Sequence, residues 1–482
     1  MSRRRLFGPR PPVALSLLLG GLGALGAGPA ALRARADVVD GPPAEASAGR
    51  GSEAPAPVRE LTLDEALAMG RRANRTLVAE REHLQQAAIN VDRAWTALFP
   101  NVAVQGKYTR NNREFSFPVT IPVPGNPNGI TKTLIIQPLN ELDGVASFTT
   151  PLLAPASYPA VRAVKLTEAA AEENYQTAID NMLFGVAQTF HSAAVADEVL
   201  AARRSSIAVA QATLDSAKAR FSAGTVTKVD VDRAELAVLR AEQAARDAQL
   251  ARDETYRSLA TLIQAPGPFR VRPIVIDGPP ASQSASAAGS AGAGAPELDL
   301  ALRLRPEFRA LEASVESDRA QQRANALRWA PSLSAFGNVR LFNYDNFAAE
   351  SHAWAIGAQL DWVLFDGGVR DSDRRLAASA AAEAWARAEV LRDTIRDDLE
   401  NGRREIDTKT WARQTSERSV DLAKEALELV RVQYQAGTAT QVDLLQAQDS
   451  LVAAQEALAR AHYDLAIADL TLRRAAGNLP GK

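Results

Sequence analysis

The chain of 482 residues has no cysteine, only three methionines and only four histidines. Without cysteine there can be no disulfide, no thiolate metal site, no thiol nucleophile and no lipid attached through a thiol. Four scattered histidines leave little for a metal centre, and no cofactor is expected. A charge of one sign is also missing: 55 Lys and Arg face 57 Asp and Glu, a net charge of −2. That excludes the globally basic surface that would favour nucleic acid. Aromatic residues make up 6% of a chain that is 46% hydrophobic, and alanine fills much of the remainder. Such a composition suits long, closely packed helices better than an aromatic-lined catalytic pocket. None of the phosphate-loop, zinc-protease or nucleophile-elbow motifs occurs, and the acidic residues are scattered along helical faces, so no enzymatic activity is expected.

Long apolar runs are scarce as well. Arg3, Arg4, Arg5 and Arg10 precede an apolar stretch from Val13 to Ala27, and Ala34-Arg35-Ala36 follows with small residues at the cleavage spacing. Residues 1–36 therefore read as a secretory signal peptide. Gly21-Leu22-Gly23-Ala24-Leu25-Gly26 has dinucleotide-binding spacing, but no strand precedes it and it lies inside the signal. Beyond residue 37 no apolar stretch reaches the roughly 20 residues of a spanning helix. The exported chain is thus either soluble or inserted in a membrane as β-strands.

What is present is a repeat. Leu98-Phe99-Pro100-Asn101-Val102 corresponds to Trp329-Ala330-Pro331-Ser332-Leu333 at an offset of 231. Phe221-Ser222-Ala223-Gly224-Thr225 and the residues to Asp230 correspond to Tyr434-Gln435-Ala436-Gly437-Thr438 and the residues to Asp443 at an offset of 213. The first half therefore carries 18 extra residues, which fall most naturally in the Pro/Gly/Asn-rich stretch 117–139. The expected organisation is a flexible segment over 37–60, a first repeat over 61–276, a low-complexity linker over 277–296, a second repeat over 297–477 and a tail over 478–482.

Each repeat contains a run of some 66 residues free of turn signals, ending in an Ala-Gly-Thr turn, which predicts helical rods of roughly 100 Å. Leu200, Ile207, Leu214 and Phe221 recur every seven residues, as do Leu444, Leu451, Leu458, Leu465 and Leu472, the spacing of a coiled-coil seam. At the turns, Gly224 and Gly437 are expected in the left-handed conformation, with Thr225 and Thr438 available to cap the next helix. Strands are expected at about 101–112, 133–151, 332–343 and 352–365. In the last, Trp354, Ile356, Ala358, Leu360, Trp362 and Leu364 alternate with small or polar residues. Trp354 and Trp362 lie roughly 26 Å apart along such a strand, close to the lipid band of a membrane barrel. A soluble sheet packed on a core would alternate in the same way. Four strands cannot close a barrel alone, so several copies would have to share one.

These features together resemble the TolC-like outer-membrane channel-tunnel (efflux) proteins: the signal, the two-fold repeat, the entries Ala97-Leu98-Phe99-Pro100-Asn101 and Arg328-Trp329-Ala330-Pro331-Ser332, the exit Leu364-Phe365-Asp366-Gly367-Gly368 and the paired tips. The resemblance implies a homotrimer whose twelve strands form one barrel in outer-membrane lipid, above an α-helical tunnel in the periplasm. It also implies an exit duct docked to a periplasmic adaptor protein and an inner-membrane pump of the RND, ABC or MFS type. By position, Ala223, Gly224, Thr225 and Ala436, Gly437, Thr438 correspond to the adaptor-docking tips. Asp443 corresponds to an aperture carboxylate, Tyr434 and Asp230 to a gating hydrogen-bond pair, and Trp354 and Trp362 to a membrane girdle. Gln446 stands where the family's type member has a second aperture aspartate, and Ala439 where it has a gating arginine. Three Asp443 carboxylates near one axis would attract cations, whereas the same residue could simply cap the last helix. The alternative to a channel is an exported soluble coiled-coil scaffold.

Overall fold

The computed structural model describes residues 59–124, 126–272, 294–344 and 350–481. The expected signal, the segment 37–58 and linker residues 277–293 lie outside them. A short strand β1 (Arg59–Leu61) leads into helices α1 (Leu63–Ala73) and α2 (Arg75–Trp95). Strands β2 (Asn101–Arg110), β3 (Phe115–Val123), β4 (Asn126–Gln137) and β5 (Asn140–Leu153) follow, then the hairpin α3 (Ser157–Ser222) and α4 (Lys228–Ile263). After β6 (Phe269–Val271) the second half runs α5 (Gly294–Leu304), α6 (Pro306–Leu327), β7 (Ser332–Phe342), β8 (His352–Asp361), α7 (Val369–Ala436) and α8 (Gln441–Ala475).

Local chemistry marks these boundaries. Thr62 and Glu65 form a capping box at α1, and the Asn74 carboxamide oxygen accepts the Thr76 and Leu77 N–H groups to start α2. Gly367 and Gly368, both at positive φ, turn the chain out of β8, and Asp366 accepts the N–H groups of Gly368 and Arg370 at the head of α7. The two rods contain 66 and 68 residues, about 100 Å each. They are held along their length by neighbours: α3 packs on α2, α4 and α6, and α7 packs on α6 and α8. A helix of this length without such partners would fray.

The largest apolar cluster sits partway along the rods, where Phe190, Leu183 and Val186 of α3 meet Leu61, Leu67, Leu259, Ile263 and Val271. Here β1 and β6 pair in parallel, and Tyr256 donates to Asp197 while accepting the Val271 N–H at 3.1 Å. A second cluster joins Ile395, Leu399 and Ile406 of α7 to Ala468 and Leu472 of α8. Nearer the tips, Ala210, Leu214 and Ala217 pack on Ala234 and Val238, so small residues let α3 and α4 approach closely. Of the α8 stripe, Leu444, Leu465 and Leu472 are buried and Leu451 and Leu458 half-buried, whereas Phe221, the last member of the first stripe, is exposed at the tip.

At the other end is an antiparallel sheet of order β2-β5-β7-β8. Several expected boundaries are corrected here. The strand placed at about 133–151 begins at Asn140, because residues 126–137 pair with β3 and not with β2. Much of the extra stretch 117–139, whose structure the sequence left open, thus lies in the paired strands β3 and β4. Proline is tolerated in edge strands and at bulges: β3 pairs only with β4, and Pro122 falls where their register shifts between Ile121 and Val123. Strand ends at 112 and 343 shorten to Arg110 and Phe342, and the last strand stops at Asp361. Helix α5 begins inside the expected linker, and the tail is docked, with Leu479 buried and the Gly481 carbonyl accepting from Arg71 at 3.1 Å.

Candidate functional site

Two places carry the residues singled out by sequence. At the hairpin tips the chain makes the same turn twice. Gly224 (φ 75°) follows α3 and Gly437 (φ 79°) follows α7. Thr225 N–H bonds the Arg220 carbonyl at 3.0 Å and Thr438 N–H bonds the Gln433 carbonyl at 2.9 Å, the Schellman closure. The hydroxyls of Thr225 and Thr438 bond those same carbonyls, so they finish the preceding helix. The cap on the next helix comes two residues later, correcting the expectation. Thr227 with Asp230, and Thr440 with Asp443, form capping boxes at the heads of α4 and α8. Ala223, Gly224, Thr225, Ala436, Gly437 and Thr438 are all exposed.

The capping geometry sets the state of the carboxylates. Asp443 accepts the Thr440 hydroxyl at 2.6 Å and backbone N–H at 2.8 Å, which holds its pKa below the ordinary value. Asp230 is lowered in the same way by the Thr227 hydroxyl and N–H, with Arg233 adding to the effect at 3.8 Å. At the matching place in the second tip stands Gln446, exposed and uncharged, so Asp443 keeps an uncompensated charge.

Tyr434 and Asp230 are not hydrogen-bonded to one another. Tyr434 is buried, its hydroxyl has no hydrogen-bond partner among the described residues, and its ring lies under Arg220 at 4.4 Å. The Arg220 guanidinium also donates to the Tyr434 carbonyl at 3.1 Å, and the Gln441 amide donates to the Asp230 carbonyl at 2.8 Å. The tips of the two hairpins are therefore tied by Arg220 and Gln441, two residues that sequence reasoning missed. A signal existed: at the repeat offset Arg220 faces Gln433 and Gln441 faces Lys228, so the ties use positions where the halves differ.

The second place is the sheet. Its registers align Val104, Ala146, Val339 and Trp354 across all four strands. Their face also carries Val102, Tyr108, Leu142, Phe148, Leu341, Ile356 and Leu360, and it is open to its surroundings: Val104 is 82% exposed and Trp354 70%. Phe148 lies across Gly337, where an added Cβ would collide with the ring. The opposite face carries Gln105, Lys107, Glu141, Asp143, Asn338 and Arg340, with Arg340 bidentate to Asp143 at 3.0 Å. Trp362, just past β8, is exposed and donates to the Trp329 carbonyl at 3.2 Å. A soluble sheet would bury its apolar face on a core; this one leaves its apolar face uncovered and has most of its charges on the other side. Both sheet edges, β2 and β8, lack a partner strand among the described residues. No helix among the described residues is long and apolar enough to cross a membrane, and no metal-binding cluster occurs among them.

Such a protomer has the architecture of outer-membrane channels. Its fold is similar to the Campylobacter jejuni CmeC outer membrane channel, with a TM-score of 0.70 at 18% identity over 86% of this chain and 85% of that one. The profile of the outer membrane efflux protein family matches residues 67–264 and 298–478, and the chain belongs to that family. It is 27% identical to Nodulation protein T of Rhizobium leguminosarum bv. trifolii over 52% of this chain, spanning about half (53%) of that relative. It is 25% identical to outer membrane protein TolC of Vibrio cholerae over 64% of this chain and 70% of that protein. The protein is accordingly an outer-membrane protein that extends into the periplasm, and not an enzyme.

Proposed function

We propose that three copies of this chain form one exit duct, which passively conducts substrates delivered by a periplasmic adaptor and an inner-membrane pump. The observation that carries this reading is the sheet: apolar on one side except at its far end, charged on the other, and open at both edges. In the helical layer the open flanks match, since α2 adjoins β2 and α7 adjoins β8 in the chain. Copies joined edge to edge by a closing rotation bury both kinds of edge at once. With four strands each, three copies give a twelve-stranded barrel, with the apolar face toward lipid and the Arg340–Asp143 face toward the lumen. Trp354 and Trp362 then lie at the two borders of the lipid band.

The exposed Ala-Gly-Thr turns, at the far end of the rods, are the surface offered to an adaptor. Asp443 supplies one carboxylate per copy to the periplasmic aperture, which attracts cations. Capping α8 and lining an aperture are compatible roles, because the Thr440 bonds keep the carboxylate ionised.

Fractionation and conductance test the reading together. The expected result is an outer-membrane oligomer that needs detergent, falls to monomer on heating and forms pores in planar bilayers. A soluble periplasmic monomer without pore activity would refute it and favour the scaffold.

A further inference from the structure

The lipid-facing side of the sheet has one feature that the duct does not require. Along β2, β5, β7 and β8 its residues are apolar, small or uncharged except at the end farthest from the helices, where β2 finishes in Arg110 and β8 begins with His352. Both are exposed. Carboxylates of these strands such as Glu141, Asp143 and Asp361 belong to the other face, where Glu141 and Asp143 are engaged by Arg340.

Arg110 is also held in place. One guanidinium nitrogen donates to the Asn140 side-chain oxygen at 2.8 Å, and the Tyr108 hydroxyl donates to that same oxygen at 3.0 Å. No carboxylate pairs with Arg110 among the described residues, so its remaining N–H groups point to chemistry outside the protomer. A fixed guanidinium with a free edge matches a phosphate geometrically and electrostatically. Tyr108, two residues before Arg110 on β2, and Trp354, two residues after His352 on β8, are amphipathic rings of the kind that sit at headgroup level. Closure of the barrel brings β2 of one copy beside β8 of the next, so Arg110 and a neighbour's His352 share the same outer rim.

We propose that Arg110, with His352 of the adjoining copy, binds a phosphate of the phosphorylated glycolipid that builds the outer leaflet. The site rests on the trimeric duct reading and adds to it a lipid contact at each boundary between copies. It anchors the barrel from outside, on the side opposite the lumenal charges.

The experiment uses the full-length detergent-purified trimer with two probes, fluorescent bis-phosphorylated lipid A and the same lipid chemically dephosphorylated. The phosphorylated form should bind more tightly. Arg110→Gln should weaken that binding about fivefold, the effect of one basic side chain at an anionic lipid surface, and leave the dephosphorylated lipid unchanged. Asn140→Ala, which frees the guanidinium, should fall between wild type and Arg110→Gln and serves if the glutamine variant does not assemble. Equal binding of the two lipids, or unaltered binding in both variants, overturns the site. Full displacement of the lipid by millimolar inorganic phosphate overturns the glycolipid as its occupant. Heat-labile trimer on gels is scored in parallel. A wild-type protein that forms no such trimer refutes the duct itself, and a trimer that ignores the phosphate refutes only the site.

Discussion

The two hairpin tips differ by little in backbone and by much in charge. Phe221 to Asp230 and Tyr434 to Asp443 share the positive-φ glycine, the Schellman closure and the Thr-Asp capping box. Yet three residues past each aspartate stands Arg233 in the first tip and Gln446 in the second. Asp230 is half-buried beside that arginine, whereas Asp443 is exposed with no counter-ion near it among the described residues. One turn has been used twice, and a single side chain outside the turn decides which copy presents negative charge.

The largest expected effect comes from breaking what the tips share. Gly224→Val or Gly437→Val forces a branched residue into positive φ, which costs about 1–3 kcal/mol locally, and adds bulk to the docking surface. Export should cease while the heat-labile trimer persists; normal efflux in either variant would remove the tips from the docking role. Breaking what distinguishes them comes next. Asp443→Asn should lower cation selectivity in bilayer recordings and Asp230→Asn should not, and equal effects would show that the tips are electrostatically equivalent. Gln446→Arg should reproduce much of the Asp443→Asn phenotype by giving the second tip the first one's neutralising partner.

Acid titration sharpens the same contrast. Both aspartates are held below their ordinary value by threonine, so the ionised caps contribute fully above about pH 4 and their contribution is lost as pH falls through the lower folded value. Cation selectivity should therefore persist from pH 7 down to about 4 and fade only below that. Selectivity lost near pH 6 would point to a different titrating group. The smallest effect belongs to the tie between hairpins. Gln441→Ala removes the bond to the Asp230 carbonyl and should lower stability by about 1 kcal/mol, read from the urea midpoint. Lys228→Ala, at the matching place in the first repeat, should change it little.

Much of this fold was legible because its signals are long or repeated. Sixty-odd residues without a turn signal can only be a rod, and a heptad of leucines over Leu444 to Leu472 names its buried stripe without any knowledge of the partner. The alternation around Trp354 to Trp362 is equally plain. Other parts were hidden by local ambiguity. Pro118 and Pro122 look like breakers, and only an edge position and a register shift between Ile121 and Val123 accommodate them in a strand. Thr225 and Thr227 are both good caps by composition, and the Schellman closure assigns the first to the helix behind and the second to the helix ahead. The three-residue strands β1 and β6 are too short for any pattern to register.

The sequence alone determined the repeat, the rods, the glycine turns and the alternation of the strands, because these depend on spacing along one chain and on the intrinsic conformational preferences of glycine and leucine. It left open which face of the sheet meets water. Tertiary structure decided that, by packing the helices against one another and leaving the apolar face of the sheet without a core to cover it. It also decided the partners of Tyr434, Asp230 and Gln441, since hydrogen bonds between hairpins join residues more than 200 positions apart. Their donors and acceptors meet only when two separately legible rods are laid side by side in a particular register. That register is a property of packing, which no local pattern encodes.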